Sequence, residues 1–222
     1  MWLMTSELTK EEINRKLLHV LAVILPLSIF YGPELIGQPK VFVSWVFAGM
    51  FLFFLLIEWM RLKVDSFHSL FCHYFGGMMR EVEKRQLTGA TYVVGGSSIC
   101  SMIALHSQKS EAAVFLGLTL FILGDAAAAL VGKAFGRIRV GQKTLEGSLG
   151  CFFFCFLLAW IVFPKLPEFL EVWGGPFSMI QILLVSATLS FLELFPIRLG
   201  KVVLNDNLYV PAAVSLTALI IP

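Results

Sequence analysis

The sequence predicts an all-α, polytopic integral membrane protein of about seven transmembrane helices with its amino terminus in the cytoplasm. Three observations predict it. Of 222 residues, 58% are hydrophobic and 14% charged, against a charged share of about 25% in soluble domains. Seven apolar stretches are long enough to approach the roughly 20 residues that a bilayer core of about 30 Å requires. The basic residues then sort by connection onto one side.

The apolar stretches cover 15–31, 41–60, 90–106, 112–134, 148–163, 178–195 and 207–221. Gly95 and Gly96 interrupt the third, and the fifth is close to re-entrant length. The run beginning at Leu17 follows Glu11 and Glu12 and has no small-residue cleavage pattern after it, so it is expected to remain as the first span and not to be removed as a signal. Lys and Arg number three in the amino-terminal segment, five in 61–89, four in 133–147 and two in 197–206, while the alternate connections hold Lys40, Lys109 and Lys165 alone. The positive-inside rule places the rich side in the cytoplasm and, over seven spans, the carboxyl terminus outside. The segment 65–86 carries Phe67, Leu70, Phe71, Tyr74 and Phe75 among polar residues, the pattern of an interfacial helix. The whole of 1–222 reads as one transmembrane domain, and no internal repeat is evident in the sequence.

Formal charge is +2, with no block of like charges, which argues against a nucleic-acid partner. Cys72, Cys100, Cys151 and Cys155 have no CxxC spacing, and three lie in apolar runs, so no disulfide is expected. His68, Cys72 and His73 have helical ligand spacing but lack the further ligands of a structural zinc site.

Ionisable groups within a bilayer cost roughly 2.5–3.5 kcal/mol on insertion scales and mark function or buried pairing. Asp125 lies in the cytoplasmic half of the fourth span, Glu193 near the cytoplasmic end of the sixth, and Asp206 opens the seventh. Arg15 and His19 open the first, Glu58 closes the second, and Thr88, Gly89 and Thr91 open the third. TKEE at Thr9–Glu12 fits a helix capping box, which puts Glu11, Arg15 and His19 on one face. From Gly124 to Ser148, small residues recur at Gly124, Ala128, Gly132 and Gly136, a ridge that allows close helix approach. The adjoining loop carries Lys133, Arg137, Arg139 and Lys143 beside Glu146, groups suited to a nucleotide polyphosphate with Mg²⁺. GRIRVGQKT is not a phosphate-binding P-loop: it has one residue too many and follows a transmembrane helix where that motif needs a strand.

The run D-x-A-A-A-x-x-G-x-x-F-G from Asp125 to Gly136, followed by K-T-x-E-G-S from Lys143 to Ser148, resembles the CTP-dependent lipid kinases, among them dolichol, phytol and CTP-type diacylglycerol kinases. These are relatives of the phosphatidate cytidylyltransferases. RKLLH at Arg15–His19, LTGATY at Leu87–Tyr92, and Glu193 with Asp206, Asn207 and Pro211 agree with the resemblance, which covers nearly the whole chain. It implies transfer of the CTP γ-phosphate, with Mg²⁺, to the hydroxyl of a membrane lipid alcohol: a polyprenol, dolichol or phytol, or diacylglycerol. Asp125, Glu146 and Asp206 would then act as base or metal ligands. Glu193 would ligate metal or orient a basic group. Lys143, Arg137 and Lys133 with Thr144, Gly147, Ser148 and Asn207 would hold the nucleotide. Phe152, Phe153, Phe154 and Phe156 are candidate walls for the lipid tail.

The partners so implied are CTP, the lipid alcohol and the bilayer, with a homodimer left open. The setting would be a bacterial inner membrane or the endoplasmic reticulum, with the site facing the cytoplasm. Two other functions compete: a phosphatidate cytidylyltransferase releasing pyrophosphate, and an ion-coupled transporter using the same acids. The apolar outer halves of the fourth and sixth spans speak against a transport pathway.

Overall fold

The computed structural model describes residues 17–200 and 202–220, a helical bundle with two small β-hairpins at one end. Helices α1 (Leu17–Phe30), α2 (Gly32–Ile36), α3 (Lys40–Lys63) and α4 (Asp65–Phe75) come first. They are followed by α5 (Gly89–Ala104), α6 (Gln108–Phe135), α7 (Leu145–Leu157), α8 (Pro167–Trp173), α9 (Met179–Leu194) and α10 (Asp206–Ile220). Strands β1 (Arg139–Val140) and β2 (Lys143–Thr144) join α6 to α7, and β3 (Arg198–Leu199) and β4 (Val202–Val203) join α9 to α10.

Within the described residues, each of the seven apolar stretches is helical. Three helices are long and apolar enough to cross a membrane: Lys40–Lys63, Gln108–Phe135, and Leu145–Lys165, in which α7 continues through a π turn. At 1.5 Å per residue, the 16 residues of α5 reach only about 24 Å. Helices α9 and α10 are equally short, and all three end on the polar site described below, where side chains and hairpins satisfy backbone groups that lipid would leave unpaired. Along α3, Trp45, Leu52 and Trp59 remain exposed, the composition of a lipid-facing surface. With its apolar helices the chain is an integral membrane protein.

Helix α6 is the central element, its side chains from Ala112 to Ile122 almost entirely buried, and it packs against α1, α5, α7, α8 and α10. Near its first turns, Phe115 stacks on Phe30 at 4.7 Å, and Phe163, Phe169, Trp173 and Phe177 extend that aromatic layer. Glu111, in the same region, is buried against Lys40 at 2.5 Å and pins α6 to α3.

The glycine ridge is a packing seam. A Cβ on Gly124 would lie 2.7 Å from Cys155 Sγ, and one on Gly132 2.7 Å from Thr144 Oγ1. From the other side, a Cβ on Gly147 would stand 2.7 Å from the Ala128 carbonyl. Helices α6 and α7 therefore touch backbone to backbone. At the α5–α10 crossing, Pro211 lacks the amide that would bond to the Asn207 carbonyl, and Gly96 packs directly on that freed oxygen. All four cysteines are unpaired.

Three features differ from the sequence expectation. The expected loop 133–147 is the end of α6 followed by the hairpin β1–β2. The segment 65–86 is not one helix, because α4 ends at Gly76 and two short 3-10 turns follow. The chain also contains a short repeat: α6–hairpin–α7 is matched by α9–hairpin–α10, with the same strand register in both hairpins. The expected capping box at Thr9–Glu12 lies outside the described residues.

Gly96→Ala is expected to destabilise the protein by about 1–3 kcal/mol, since the new methyl meets backbone and not a yielding side chain. Gly49→Ala, in open space within α3, should be neutral or stabilising by about 0.5–1 kcal/mol. Thermal unfolding in detergent checks the pair.

Candidate functional site

Asp125 of α6, Glu193 in the last turn of α9 and Asp206 at the start of α10 converge so that one carboxylate oxygen from each lies within 4.8 Å of the others. Three acids brought this close repel strongly unless cations accompany them. Lys143, on β2, supplies one: its Nζ donates to Glu193 Oε1 and, at 3.2 Å, to Asp206 Oδ2. His19 Nε2 stands 3.3 Å from Asp125 Oδ2, both side chains being only slightly exposed. Burial alone would lower the pKa of Lys143, but Glu193, Asp206 and Asp125 outweigh it and hold the pKa above the ordinary lysine value. With the folded pKa raised, the stabilisation from this charge is complete below the ordinary lysine value and is lost only as pH climbs through the raised one. Lys143 is a fixed cation at physiological pH.

The remaining groups hold this lysine in place. Gly141, at φ 61, turns the hairpin. Thr144 caps α7 by accepting from Gly147 N–H at 3.1 Å. Glu146 accepts from the Ile138 N–H at 3.1 Å and so ties α7 back to the hairpin; it does not join the three clustered acids. Ser148 and Ser190 exchange hydrogen bonds, Ser148 Oγ donating to the Ser190 carbonyl at 2.9 Å and Ser190 Oγ to the Ser148 carbonyl at 2.7 Å. That reciprocal pair clamps α7 to α9 one turn from Glu193. Asn207 N–H donates to Asn205 Oδ1 and Asp206 Oδ1, fixing the first turn of α10. Lys133 is half-buried in the last turn of α6, and Arg137 and Arg139 are exposed beyond it.

Glu58, Thr88 and Gly89 belong to a neighbouring network. Buried Glu58 accepts from Thr88 N–H at 2.9 Å, Thr88 Oγ1 at 2.6 Å and Thr91 Oγ1 at 3.0 Å. Its other oxygen takes Arg61 Nε at 2.8 Å, while Arg61 also donates to the Lys84 and Gln86 carbonyls. A carboxylate of α3 thus caps α5, and Arg61 anchors the chain leading into it. Gly89 N–H donates to Glu83 at 3.2 Å, and a Cβ there would come within 3.6 Å of Asn207 Nδ2, so this network borders the acid cluster. Arg61 was not among the residues singled out by sequence; its position three after Glu58 is the signal that pairs them. Arg15 lies outside the described residues. Of the candidate wall residues, Phe153 and Phe154 are exposed on α7, whereas Phe156 packs against the core.

The donor set fits Mg²⁺. Octahedral coordination at about 2.0–2.1 Å places ligand oxygens about 2.9–4.2 Å apart, and the three carboxylate oxygens here all lie within 4.8 Å of one another. Among the described residues, three carboxylates meet Lys143 and His19, and their clustered hard oxygens suit a divalent ion.

Fold and site together define an integral membrane protein with a carboxylate–lysine centre set into one end of a helical bundle. The chain belongs to the cytidylyltransferase family, whose model matches residues 2–195 and so stops before the second hairpin and Asp206. It is similar to the CTP-dependent diacylglycerol kinase 1 of Saccharomyces cerevisiae, 26% identical over 159 residues, which cover 70% of this chain and 52% of that protein. It is 34% identical over 101 residues to the dolichol kinase of Saccharomyces cerevisiae, covering 44% of this chain and 17% of that one. An uncharacterized protein of Methanocaldococcus jannaschii is 30% identical over 206 residues, 92% of this chain and 91% of its own. The chain spans about half the length of the curated diacylglycerol kinases it matches. No solved structure matches. The resemblance to CTP-dependent lipid kinases seen in the motifs is thus supported along most of the chain.

Arg61→Met is expected to destabilise the protein by about 3–5 kcal/mol, because it strands a buried carboxylate. The double variant Glu58→Gln/Arg61→Met should recover part of that loss in the same unfolding assay.

Proposed function

We propose that this chain transfers the γ-phosphate of CTP to the hydroxyl of a membrane lipid alcohol. One observation carries the reading: three carboxylates from separate helices meet around a lysine delivered by a basic hairpin. Phosphoryl transfer asks a protein chiefly for positioning and charge neutralisation, and this arrangement offers both. The yeast relatives, a CTP-dependent diacylglycerol kinase and a dolichol kinase, support the donor and the acceptor class by their names.

In this reading all seven apolar helices cross the membrane with the amino terminus inside, and the site opens to the cytoplasmic nucleotide pool. Positive-inside sorting supports that sidedness. Asp125, Glu193 and Asp206 would hold Mg²⁺, which when bound neutralises phosphate charge and orients the transferring group. Asp125 accepts the proton of the lipid hydroxyl, and His19 beside it orients the carboxylate. The hydroxyl oxygen forms the new bond to the γ-phosphorus as the bond to the β-bridging oxygen breaks. CDP departs with that electron pair. Lys143 neutralises charge developing on the phosphates, with Arg137, Arg139 and Lys133 at the approach. Thr144, Gly147 and Ser148 shape the seat for β2, Asn207 hydrogen-bonds the nucleotide, and Glu146 anchors the hairpin. The lipid tail lies along the bundle, where exposed Phe153 and Phe154 offer apolar surface.

The family's description supports one other reading, cytidylyl transfer to phosphatidate with release of pyrophosphate. Products separate the two. Purified protein with Mg²⁺ and γ-labelled CTP should label a lipid from a panel of phytol, short polyprenols, dolichol and diacylglycerol. Pyrophosphate release and CDP-lipid formation from phosphatidate, without a labelled alcohol, would establish the cytidylyltransferase instead. Asp125→Asn should lower γ-phosphate transfer about 100-fold or more while leaving the unfolding midpoint close to that of the parent protein. Undiminished turnover would remove Asp125 from the role of base.

A further inference from the structure

The two hairpins repeat each other in sequence as well as in shape. Ile138-Arg139-Val140-Gly141 leads to Leu145, and Ile197-Arg198-Leu199-Gly200 leads to Leu204, with Ile, Arg, Gly and Leu at the same places. Arg139 pairs with Thr144 and Arg198 with Val203 in the same antiparallel register. Gly141 and Gly200 turn at φ 61 and φ 62. Each loop closes through the same bond, Leu145 N–H to the Ile138 carbonyl at 2.9 Å and Leu204 N–H to the Ile197 carbonyl at 3.0 Å. In each, a side chain of the following helix takes the isoleucine N–H: Glu146 at 3.1 Å in the first, Tyr209 Oη at 3.0 Å in the second.

Around them α6 packs on α7 and α10, and α9 packs on the same two helices, so two helix–hairpin–helix units face each other across the acid cluster. The units have diverged at the centre. Lys143 in the first corresponds to Val202 in the second, and Gly147 to Asp206. The lysine of one unit therefore reaches the aspartate of the other, at 3.2 Å, and brings the bases of the two hairpins together. The arginine alone among the charged positions is kept in both. Arg139 and Arg198 are exposed, and among the described residues neither forms a salt bridge.

We propose that the second hairpin is a second jaw for the phosphate tail of a nucleoside triphosphate, with Arg198 gripping it opposite Arg139. The assignment rests on the kinase reading for its ligand. It follows from charge placement along the two units: the carboxylates and Lys143 lie where the units meet, and each of the two matching hairpins carries an exposed arginine at the same position. Arginine on both hairpins suits non-bridging phosphate oxygens, which it can engage in pairs.

Binding of CTP, CDP and CMP to the full-length protein in detergent with Mg²⁺ provides the test, alongside steady-state transfer. Arg198→Ala should weaken CTP binding about tenfold or more and leave CMP binding unchanged, raising KM for CTP with little change in kcat. Arg139→Ala should behave alike, and Arg198→Lys should restore part of the loss. CTP affinity of Arg198→Ala within twofold of the parent overturns the second jaw, as does an equal loss for CTP and CMP, which is the mark of a merely structural role. If the parent protein binds CTP yet phosphorylates no lipid alcohol, the kinase reading falls, and the affinity series still decides the role of Arg198.

Discussion

The ammonium of Lys143 among the carboxylates of Glu193, Asp206 and Asp125 is the interaction on which the arrangement of this end of the molecule depends. Acids on three separate helices cannot share a low-dielectric site without a compensating charge. That charge comes from a hairpin, so the hairpin must press close to the helix ends. Close approach in turn demands Gly132 against Thr144 and Gly147 against the Ala128 carbonyl, where any side chain would collide. The Ser148–Ser190 exchange then fixes α7 to α9 beside Glu193. The glycine ridge, which in sequence reads either as packing or as chemistry, is packing in the service of charge placement.

The contrast with Glu58 is instructive. Its two oxygens meet Arg61, Thr88 and Thr91, and Arg61 is filled by two further carbonyls, so the network leaves little capacity for a ligand. It caps α5 and holds the chain entering it. The acid cluster is built differently: one oxygen from each of three carboxylates lies within 4.8 Å of the others, as donors around a metal ion would. Two buried or half-buried acidic sites on neighbouring helices thus differ in whether their oxygens turn to hydrogen-bond donors or toward one another.

Much of this was legible in the sequence. Apolar length placed the helices to within a few residues at most ends, as for 41–60 against Lys40–Lys63, and intramembrane acids singled out Asp125, Glu193 and Asp206. The hairpins were not legible, since strands of two residues carry no alternating pattern and lie in stretches that read as basic loops. The repeat escaped for a related reason: only a few positions are shared, and the residues at the centre have diverged. Glu146 looked like a ligand because it sits beside Lys143 in sequence, but the helix it begins turns its carboxylate back to the Ile138 amide. The pairing of Lys143 with acids fifty and sixty-three residues away is a property of tertiary approach, which local sequence does not encode.

A site of this form sets charge and metal geometry without by itself choosing which phosphorus is attacked. That choice depends on where the acceptor oxygen meets the triphosphate. A lipid alcohol has its hydroxyl at the headgroup level and no charge, so it can approach a carboxylate recessed among helices. Asp125 is the member of the cluster farthest from a helix end, and His19 stands beside it. An imidazole beside the recessed acid can orient it toward a hydroxyl, whereas Lys143 and Arg139 lie on the first hairpin and Arg198 on the second, where a triphosphate would lie in the proposed reaction. In the proposed reaction this division of the site, with Lys143 on a hairpin and Asp125 within the bundle, would let a lipid hydroxyl reach the acid while the triphosphate stays at the hairpins.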